Sequence, residues 1–347
     1  MPLSYHEQVD IKNIQKLREL MKDLPAFAED FFRALEIKKA SNTRRGYAYD
    51  LSTFFYFLKT QNPYFKDKDI HSLPVSILDD LQPVDIEEYL SFLSYYEKDG
   101  QPHINRAEGK ARKLAALNTF FGYYHKKGII QKNAPSAVDV PRVKEKNIIR
   151  LDANEVAQLI DNIESGEKLS DTQKIWHAKT KIRDLAIVVT LLGTGVRVTE
   201  LVGLDIKDLD FDNGAMRVIR KGGNEDIVYF GQETEEVLRD YLDERLHMKP
   251  EPGHENALFI SQKNTRITVR SVERLVKKYA STTTAKKITP HKLRSTYGTA
   301  LYQETGDIYL VADVLGHRNV NTTKKHYAAM KEENKRRAAN AVQLREK

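Results

Sequence analysis

Residues 182–201 read IRDLAIVVTLLGTGVRVTEL, and the chain is best read outward from them. From Leu185 to Leu192 every residue is apolar except Thr190, a run too long for an ordinary strand and suited to a buried helix. Gly193 and Gly195 are expected to close that helix, because glycine takes the left-handed conformation that helix ends use. Arg197 then stands just past the glycine-rich end.

On either side of this run the pattern alternates. Upstream, Asp152 and Glu155 have capping-box spacing ahead of Val156, Leu159, Ile160 and Ile163. Residues 166–181, GEKLSDTQKIWHAKTK, read as a polar insertion. Downstream, AMRVIRKGGNEDIVYF predicts a β-hairpin turning at Gly222-Gly223, with Lys221 at its tip. Helices are expected over 232–246, 268–280 and 289–304, the last opened by Pro290.

The N-terminal part reads as helix throughout. Ile11, Ile14, Leu17, Leu20 and Met21 share one helical face, and Pro25 ends that run. In SNTRRGYAYDLSTFFYFLK, Ser41, Asn42 and Thr43 offer caps, and Tyr47, Leu51, Phe54, Phe55 and Leu58 form an apolar stripe. Residues 61–76 are turn-rich. VDIEEYLSFLSYYEK predicts a helix capped by Asp85. In residues 106–128 Leu114, Leu117, Phe121 and Tyr124 make a buried seam, while Arg106, Lys110 and Lys113 follow another side at helical spacing. That side suits a solvated face or a DNA-facing one equally.

Residues 133–150, NAPSAVDVPRVKEKNIIR, hold two prolines and then Arg142, Lys144, Lys146 and Arg150 against one acid, Glu145. This is the expected interdomain linker. A chain of 347 residues is too long for one ordinary core, so two domains are the default. A hydrophobic content of 40 % without a long apolar run predicts a globular protein that does not span a membrane, and the N-terminus has no secretory pattern. Cysteine is absent, which removes disulfides and thiolate metal sites and fits a reducing cytoplasm. The net charge of +7 is by itself weak evidence for nucleic acid.

Four patterns carry chemistry: GTGVRVTEL with Arg197, RKGG with Lys221, TPHKLRSTYGT with His291 and Arg294 three apart, and LGHRNVNTTKKHY with His317 and Tyr327. Each alone is unremarkable: a capping arginine, a solvated lysine, a surface pair, one of 17 tyrosines. Together they suit phosphoryl transfer. Two guanidinium groups can clamp phosphate oxygens and keep their charge. Lysine can protonate a leaving oxygen, histidine can move the nucleophile's proton, and tyrosine can hold phosphorus as an ester. No metal-ligand spacing or phosphate-binding loop is visible, so neither metal nor ATP is implied.

In their order and spacing these motifs resemble those of the tyrosine site-specific recombinases, the group of the Xer recombinases and phage integrases. The resemblance is close over 150–330 and looser over TRRGYAYDLSTFFYFL and RKLAALNTFFGYYHKKGIIQKNAP. It implies a two-domain fold: an all-α, SAM-like core-binding domain over 1–138, a basic linker over 139–150, and a catalytic domain over 151–330. The catalytic domain would be mixed α/β, mainly helical with a small antiparallel sheet, and a tail helix over 331–347 would be exchanged between protomers. Arg197 and Arg294 would bind the scissile phosphate, Lys221 would be the general acid, His291 would assist proton transfer and His317 would bind the phosphate. Tyr327 would form the 3′-phosphotyrosine link, with Glu200 orienting the basic residues. Arg44, Arg106, Lys110, Lys113, Arg142, Lys144 and Lys146 would contact DNA.

The implied reaction cleaves and rejoins duplex DNA at a paired recombination site through a Holliday junction. It would use a homotetramer, with no cofactor and no metal, in the cytoplasm at the nucleoid, and it leaves room for an accessory protein. The biological role most in keeping is Xer-like chromosome dimer resolution. The polar insertion and extended N-terminus are similar to single-recombinase Xer proteins of the streptococcal type. The ten-residue step from His317 to Tyr327 is one longer than is usual among Xer-type sequences and matches several mobile-element integrases, which leaves an integrase role as the alternative. A reading of another class, a non-catalytic DNA-binding protein, takes IYLVADVLGHRNVNTTKKHY as a helix-turn-helix, but leaves Arg197, Lys221, His291 and Arg294 unexplained.

Overall fold

The computed structural model describes residues 4–143, 149–220 and 222–317. The chain divides into two compact units, residues 1–146 and 147–347.

The first unit runs α1 (Tyr5–Met21), α2 (Ala28–Glu36), α3 (Ser41–Gln61), α4 (Ile77–Asp80), α5 (Pro83–Phe92), β1 (Tyr96–Lys98), β2 (Gln101–His103) and α6 (Ala107–Lys126), then a single 3-10 turn, Ala134–Ala137. Its core is aromatic. Phe31, Phe54, Phe55, Tyr89, Phe120 and Phe121 are fully buried, and Phe31 meets Phe120 edge to face with ring centroids 5.0 Å apart.

Several local expectations shift here. Ile11 is exposed, whereas Asn13 turns inward and donates to Ser41 Oγ at 2.9 Å. Ser41 in turn donates to Asp10, so it ties α1 to α3 instead of capping its own helix, whose N-cap is Ala40. Asp85 occupies the third position of α5 and accepts from the backbone of Gln82, the residue at the cap. The helix expected to reach Lys98 stops at Phe92, and a β-hairpin follows. Its turn residues Asp99 and Gly100 both have positive φ, as a tight two-residue hairpin turn requires.

The second unit contains α7 (Ala153–Ser165), α8 (Asp171–His177), α9 (Lys181–Thr194), α10 (Val198–Gly203), β3 (Leu209–Asp210), β4 (Ala215–Ile219), β5 (Glu225–Tyr229), α11 (Gln232–Leu246), α12 (Val269–Ala280), α13 (Pro290–Thr305) and α14 (Ile308–Val314). The expected hairpin is β4–β5, in register from Ala215 with Tyr229 to Ile219 with Glu225. The short β3 adds a third antiparallel strand that the pattern did not reveal. The polar insertion is partly ordered as α8, held by buried His177, whose Nε2 lies 2.7 Å from the Ile163 carbonyl oxygen.

The central element is α9, which packs against α7, α11 and α13. Its apolar run is buried as expected. The two glycines have different jobs. Gly195 is the left-handed residue after the helix, with φ 63°. Gly193 lies within the helix, where a Cβ would come within 2.2 Å of Thr234 Oγ1 on α11, so it serves close helix packing. Asp184, at 1 % exposure, accepts from Arg183, Lys278, Tyr279 and Thr180 and locks α9 to α12.

Candidate active site

Arg197 is the N-cap of α10, a consequence of the chain turning at Gly195 and starting a new helix three residues later. Its backbone N–H donates to Glu200 Oε2 at 2.7 Å, and its guanidinium donates to Oε1 at 2.7 Å. The remaining arm reaches the Gly316 carbonyl at 3.1 Å. About a third of the Arg197 side chain is exposed (32 %), so the group is braced from behind and open in front. Glu200 is 3 % exposed and accepts from a second guanidinium as well, that of Arg220, at 3.0 Å. A carboxylate this deep is expensive to bury unless paired, and two cations pair it.

Arg294 lies in the first turns of α13 and is 3 % exposed. It donates to the carbonyl oxygens of Gly195 and Leu315. One turn earlier on the same helix, His291 is exposed. The end of α14 is the meeting point. Gly316 is in the left-handed conformation, its N–H donates to Asp313 O at 2.7 Å, and the His317 N–H donates to Ala312 O at 2.8 Å. This is the helix-ending arrangement in which glycine reverses the chain. It places His317, half-buried, immediately beside the carbonyls that the arginines hold.

Three successive carbonyls at this helix end each take a different guanidinium: Val314 from Arg220, Leu315 from Arg294 and Gly316 from Arg197. Helix C-terminal carbonyls lack intrahelical partners and carry partial negative charge, so cations settle there. The three motifs that carry Arg197, Arg294 and His317, separate in sequence, thus converge on one turn. Lys221 and Tyr327 lie outside the described residues.

Arg220 is the residue that the sequence reading passed over. It adjoins Lys221, and in sequence an arginine beside a lysine at a hairpin end looks like another solvated cation. Tyr297, on the same helix as His291 and Arg294, packs on Gly195, where a Cβ would lie 2.4 Å from Tyr297 Cδ1, and burial pushes its hydroxyl pKa up.

The basic residues of the first unit separate into two kinds. Arg106 and Arg142 are exposed, and Lys110 donates to Ser94 Oγ at 2.7 Å at the surface. Arg44 and Lys113 turn inward. Arg44 is 8 % exposed and pairs with Glu36 at 2.8 Å. Lys113, 5 % exposed, donates to Asp50 at 3.0 Å and Thr53 at 3.3 Å, and burial holds its ammonium below the usual lysine range despite Asp50. Lys113 was expected on an outward basic side, but the seam of α6 is wider than Leu114 and Leu117 alone suggested. A concavity of about 840 Å³ on this unit also collects Lys16, Lys22, Lys59, Lys98 and Arg112, basic residues on or beside four elements that no local motif connects. Lys144 and Lys146 lie outside the described residues.

Comparison with known proteins gives the family of the chain. Residues 149–334 match the model of the phage integrase family. The tyrosine recombinase XerC of Caldanaerobacter subterraneus subsp. tengcongensis is 31 % identical over 314 residues, spanning 86 % of this chain and 82 % of the relative. The XerC of Syntrophus aciditrophicus is 30 % identical over 322 residues, spanning 89 % and 93 %. Among solved structures, the XerH site-specific recombinase in a post-cleavage complex with its palindromic difH substrate superposes with a TM-score of 0.60. At 22 % identity, over 86 % of this chain and 80 % of that one, it shows a shared fold. That fold is the mostly helical, two-part architecture with small antiparallel sheets that the motifs implied. The chain therefore belongs to the phage integrase family and is a tyrosine recombinase of Xer-like type, an enzyme that cleaves and rejoins DNA.

Proposed function

We propose that this recombinase resolves paired sites on duplex DNA in the manner of Xer proteins, with Tyr327 as nucleophile and Arg197, Lys221, His291, Arg294 and His317 as its catalytic partners. The observation that carries this reading is the convergence of Arg197, Arg294 and His317 on the end of α14, with Glu200 holding Arg197 from behind.

In the first step Tyr327 Oη attacks the scissile phosphorus and its proton passes to His291. The P–O5′ bond breaks, and O5′ takes a proton from the Lys221 ammonium. The products are a 3′-phosphotyrosine ester and a free 5′-hydroxyl. Arg197, Arg294 and His317 neutralise the non-bridging oxygens as charge builds on them. In the second step the 5′-hydroxyl of the partner strand gives its proton to the neutral Lys221 amine and attacks the ester, and the tyrosine leaves and regains its proton from His291. One phosphodiester is made for each one broken, so the exchange needs no external energy.

The helical first unit would serve as the core-binding domain. Arg106, Lys110 and Arg142, with Lys144 and Lys146 in the linker, would contact phosphates and give binding a salt dependence. Four protomers would synapse two sites, with the tail over 331–347 exchanged between neighbours, and the role would be chromosome dimer resolution.

The test uses a nicked duplex carrying the chain's own site, recovered beforehand by selection from random DNA. The nick lets the leaving fragment diffuse away and traps the covalent complex. A denaturing gel should show a protein–DNA adduct that forms in EDTA and is lost in Tyr327→Phe while binding persists. A bound site with no adduct, or an adduct that survives Tyr327→Phe, contradicts the proposal.

A further inference from the structure

The guanidinium of Arg220 has three partners on three elements. Its Nε donates to Asp226 Oδ2 at 2.8 Å on β5, its Nη1 to Glu200 Oε2 at 3.0 Å on α10, and its Nη2 to the Val314 carbonyl at 3.2 Å on α14. Its side chain is only 11 % exposed. Its backbone is held as well: the N–H donates to Asn224 O at 2.8 Å, and its carbonyl accepts from Gly223 N at 3.0 Å, closing the β4–β5 turn. Gly316 stands so close to the guanidinium that a Cβ there would come within 2.9 Å of Arg220 Cζ. A lysine ammonium is a single point and could not span these three acceptors, whereas a planar fork can.

The residue that follows in the chain is Lys221. We infer that Arg220 is a positioning residue for the cleavage step, tying the base of the lysine-bearing turn to the His317-bearing turn and so setting Lys221 on the leaving oxygen. The inference rests on the reading of Lys221 as general acid. Arg220 shares Glu200 with Arg197, so it could instead act through that phosphate-binding arginine. The two routes differ chemically. Misplacing a general acid matters only when the leaving group needs a proton, while weakening phosphate binding matters for any leaving group.

The experiment is single-turnover cleavage of the selected nicked duplex in two forms, one with the ordinary O5′ and one with sulfur at that bridging position. In the sulfur form the P–S bond breaks and a thiolate departs without needing a proton. Arg220→Gln should slow the oxygen substrate about 100-fold, within the range of general-acid contributions, and the sulfur substrate less than about threefold. Asp226→Asn removes one anchor from a carboxylate that is 44 % exposed and should give the same pattern at smaller amplitude. If Arg220→Gln does not fold, Arg220→Lys and Asp226→Asn carry the same readout. Equal losses on both substrates, or no loss on the oxygen substrate in the variants that fold, would overturn the inference. Lys221→Ala, run in parallel, separates the two layers. If sulfur does not rescue it, the general-acid reading fails. If sulfur rescues it and not the Arg220 variants, only the positioning role fails.

Discussion

Glu200 in the second unit and Asp50 in the first are built alike and connected differently. Each is a carboxylate about 3 % exposed, and each is paired with two cations: Arg197 and Arg220 on Glu200, Arg112 and Lys113 on Asp50. Around Asp50 the cations come from α6 and end their reach on α3, so the cluster fastens two helices. Around Glu200 the guanidinium arms continue past the carboxylate to the carbonyls of α14 and leave Arg197 a third exposed. Each carboxylate keeps one partner at the surface, Arg112 at 59 % and Arg197 at 32 % side-chain exposure, so the difference lies in reach: the Asp50 cluster joins α6 to α3, whereas the Glu200 guanidinium groups also hold the carbonyls at the end of α14.

Among tests of this comparison, the largest expected effect comes from breaking each cluster in the same way. Glu200→Gln should lower single-turnover cleavage about 100-fold with the fold retained, because displacing a positioned group by about 1 Å is enough for that loss. Asp50→Asn should leave cleavage intact at permissive temperature and destabilise the first unit by about 3 kcal/mol, since it leaves a buried ammonium without its counter-charge. Denaturant melts and cleavage rates on the same two proteins check the contrast. A cleavage defect in Asp50→Asn as deep as that in Glu200→Gln would erase it.

Next in size is Gly195→Ala. The backbone is left-handed there, a Cβ would strike Tyr297, and the carbonyl of the same residue is an acceptor for Arg294. The substitution should destabilise the second unit by about 2 kcal/mol and slow cleavage as well. Stability lost with the cleavage rate unchanged would show that Arg294 does not depend on this turn.

Lys113 gives a finer test of the fastener. Lys113→Met should weaken the first unit by about 1–2 kcal/mol, as Arg112 still pairs with Asp50, and leave the salt dependence of DNA binding unchanged. Arg106→Ala and Lys110→Ala should leave stability alone and each reduce the slope of log affinity against log salt by about 1. A reduced slope in Lys113→Met would return that residue to the DNA-facing side.

The smallest effect is a pH dependence at the start of α7. Burial raises the Glu155 carboxyl pKa, but hydrogen bonds from Lys286, Asp152 and Thr284 outweigh it and hold the pKa at about 2, against an ordinary value of 4.5. A depressed carboxyl pKa stabilises the fold above its unfolded value, and that stabilisation is lost as pH falls through the folded one. The stability gap between the parent and Lys286→Met should thus be full at neutral pH and close between about pH 4.5 and 2. A gap that stays constant down to acid pH would contradict the pairing.

What the sequence made legible follows from the range of each interaction. The buried run of α9, the capping box at Asp152 and the β4–β5 hairpin are local patterns, and all three were read from the chain. The β1–β2 hairpin was missed although Asp99-Gly100 is a hairpin signal, because the helical period before it was carried too far. Lys113 was misread because its partner Asp50 is 63 residues away. Arg197, Arg294 and His317 were found through motif order. The meeting of three guanidinium groups on consecutive carbonyls joins residues up to 119 apart and has no local signal, which is why Arg220 went unnoticed.

The central claim is that Arg197, braced by Glu200, neutralises charge on the scissile phosphate. It is tested most directly by comparing Arg197→Ala with the parent on the ordinary substrate and on one whose scissile phosphate is a neutral methylphosphonate. If the guanidinium acts on that charge, the loss should be about 1000-fold on the phosphodiester and shrink to about tenfold or less on the methylphosphonate. An equal loss on both substrates would contradict the claim and reduce Arg197 to a structural cap of α10.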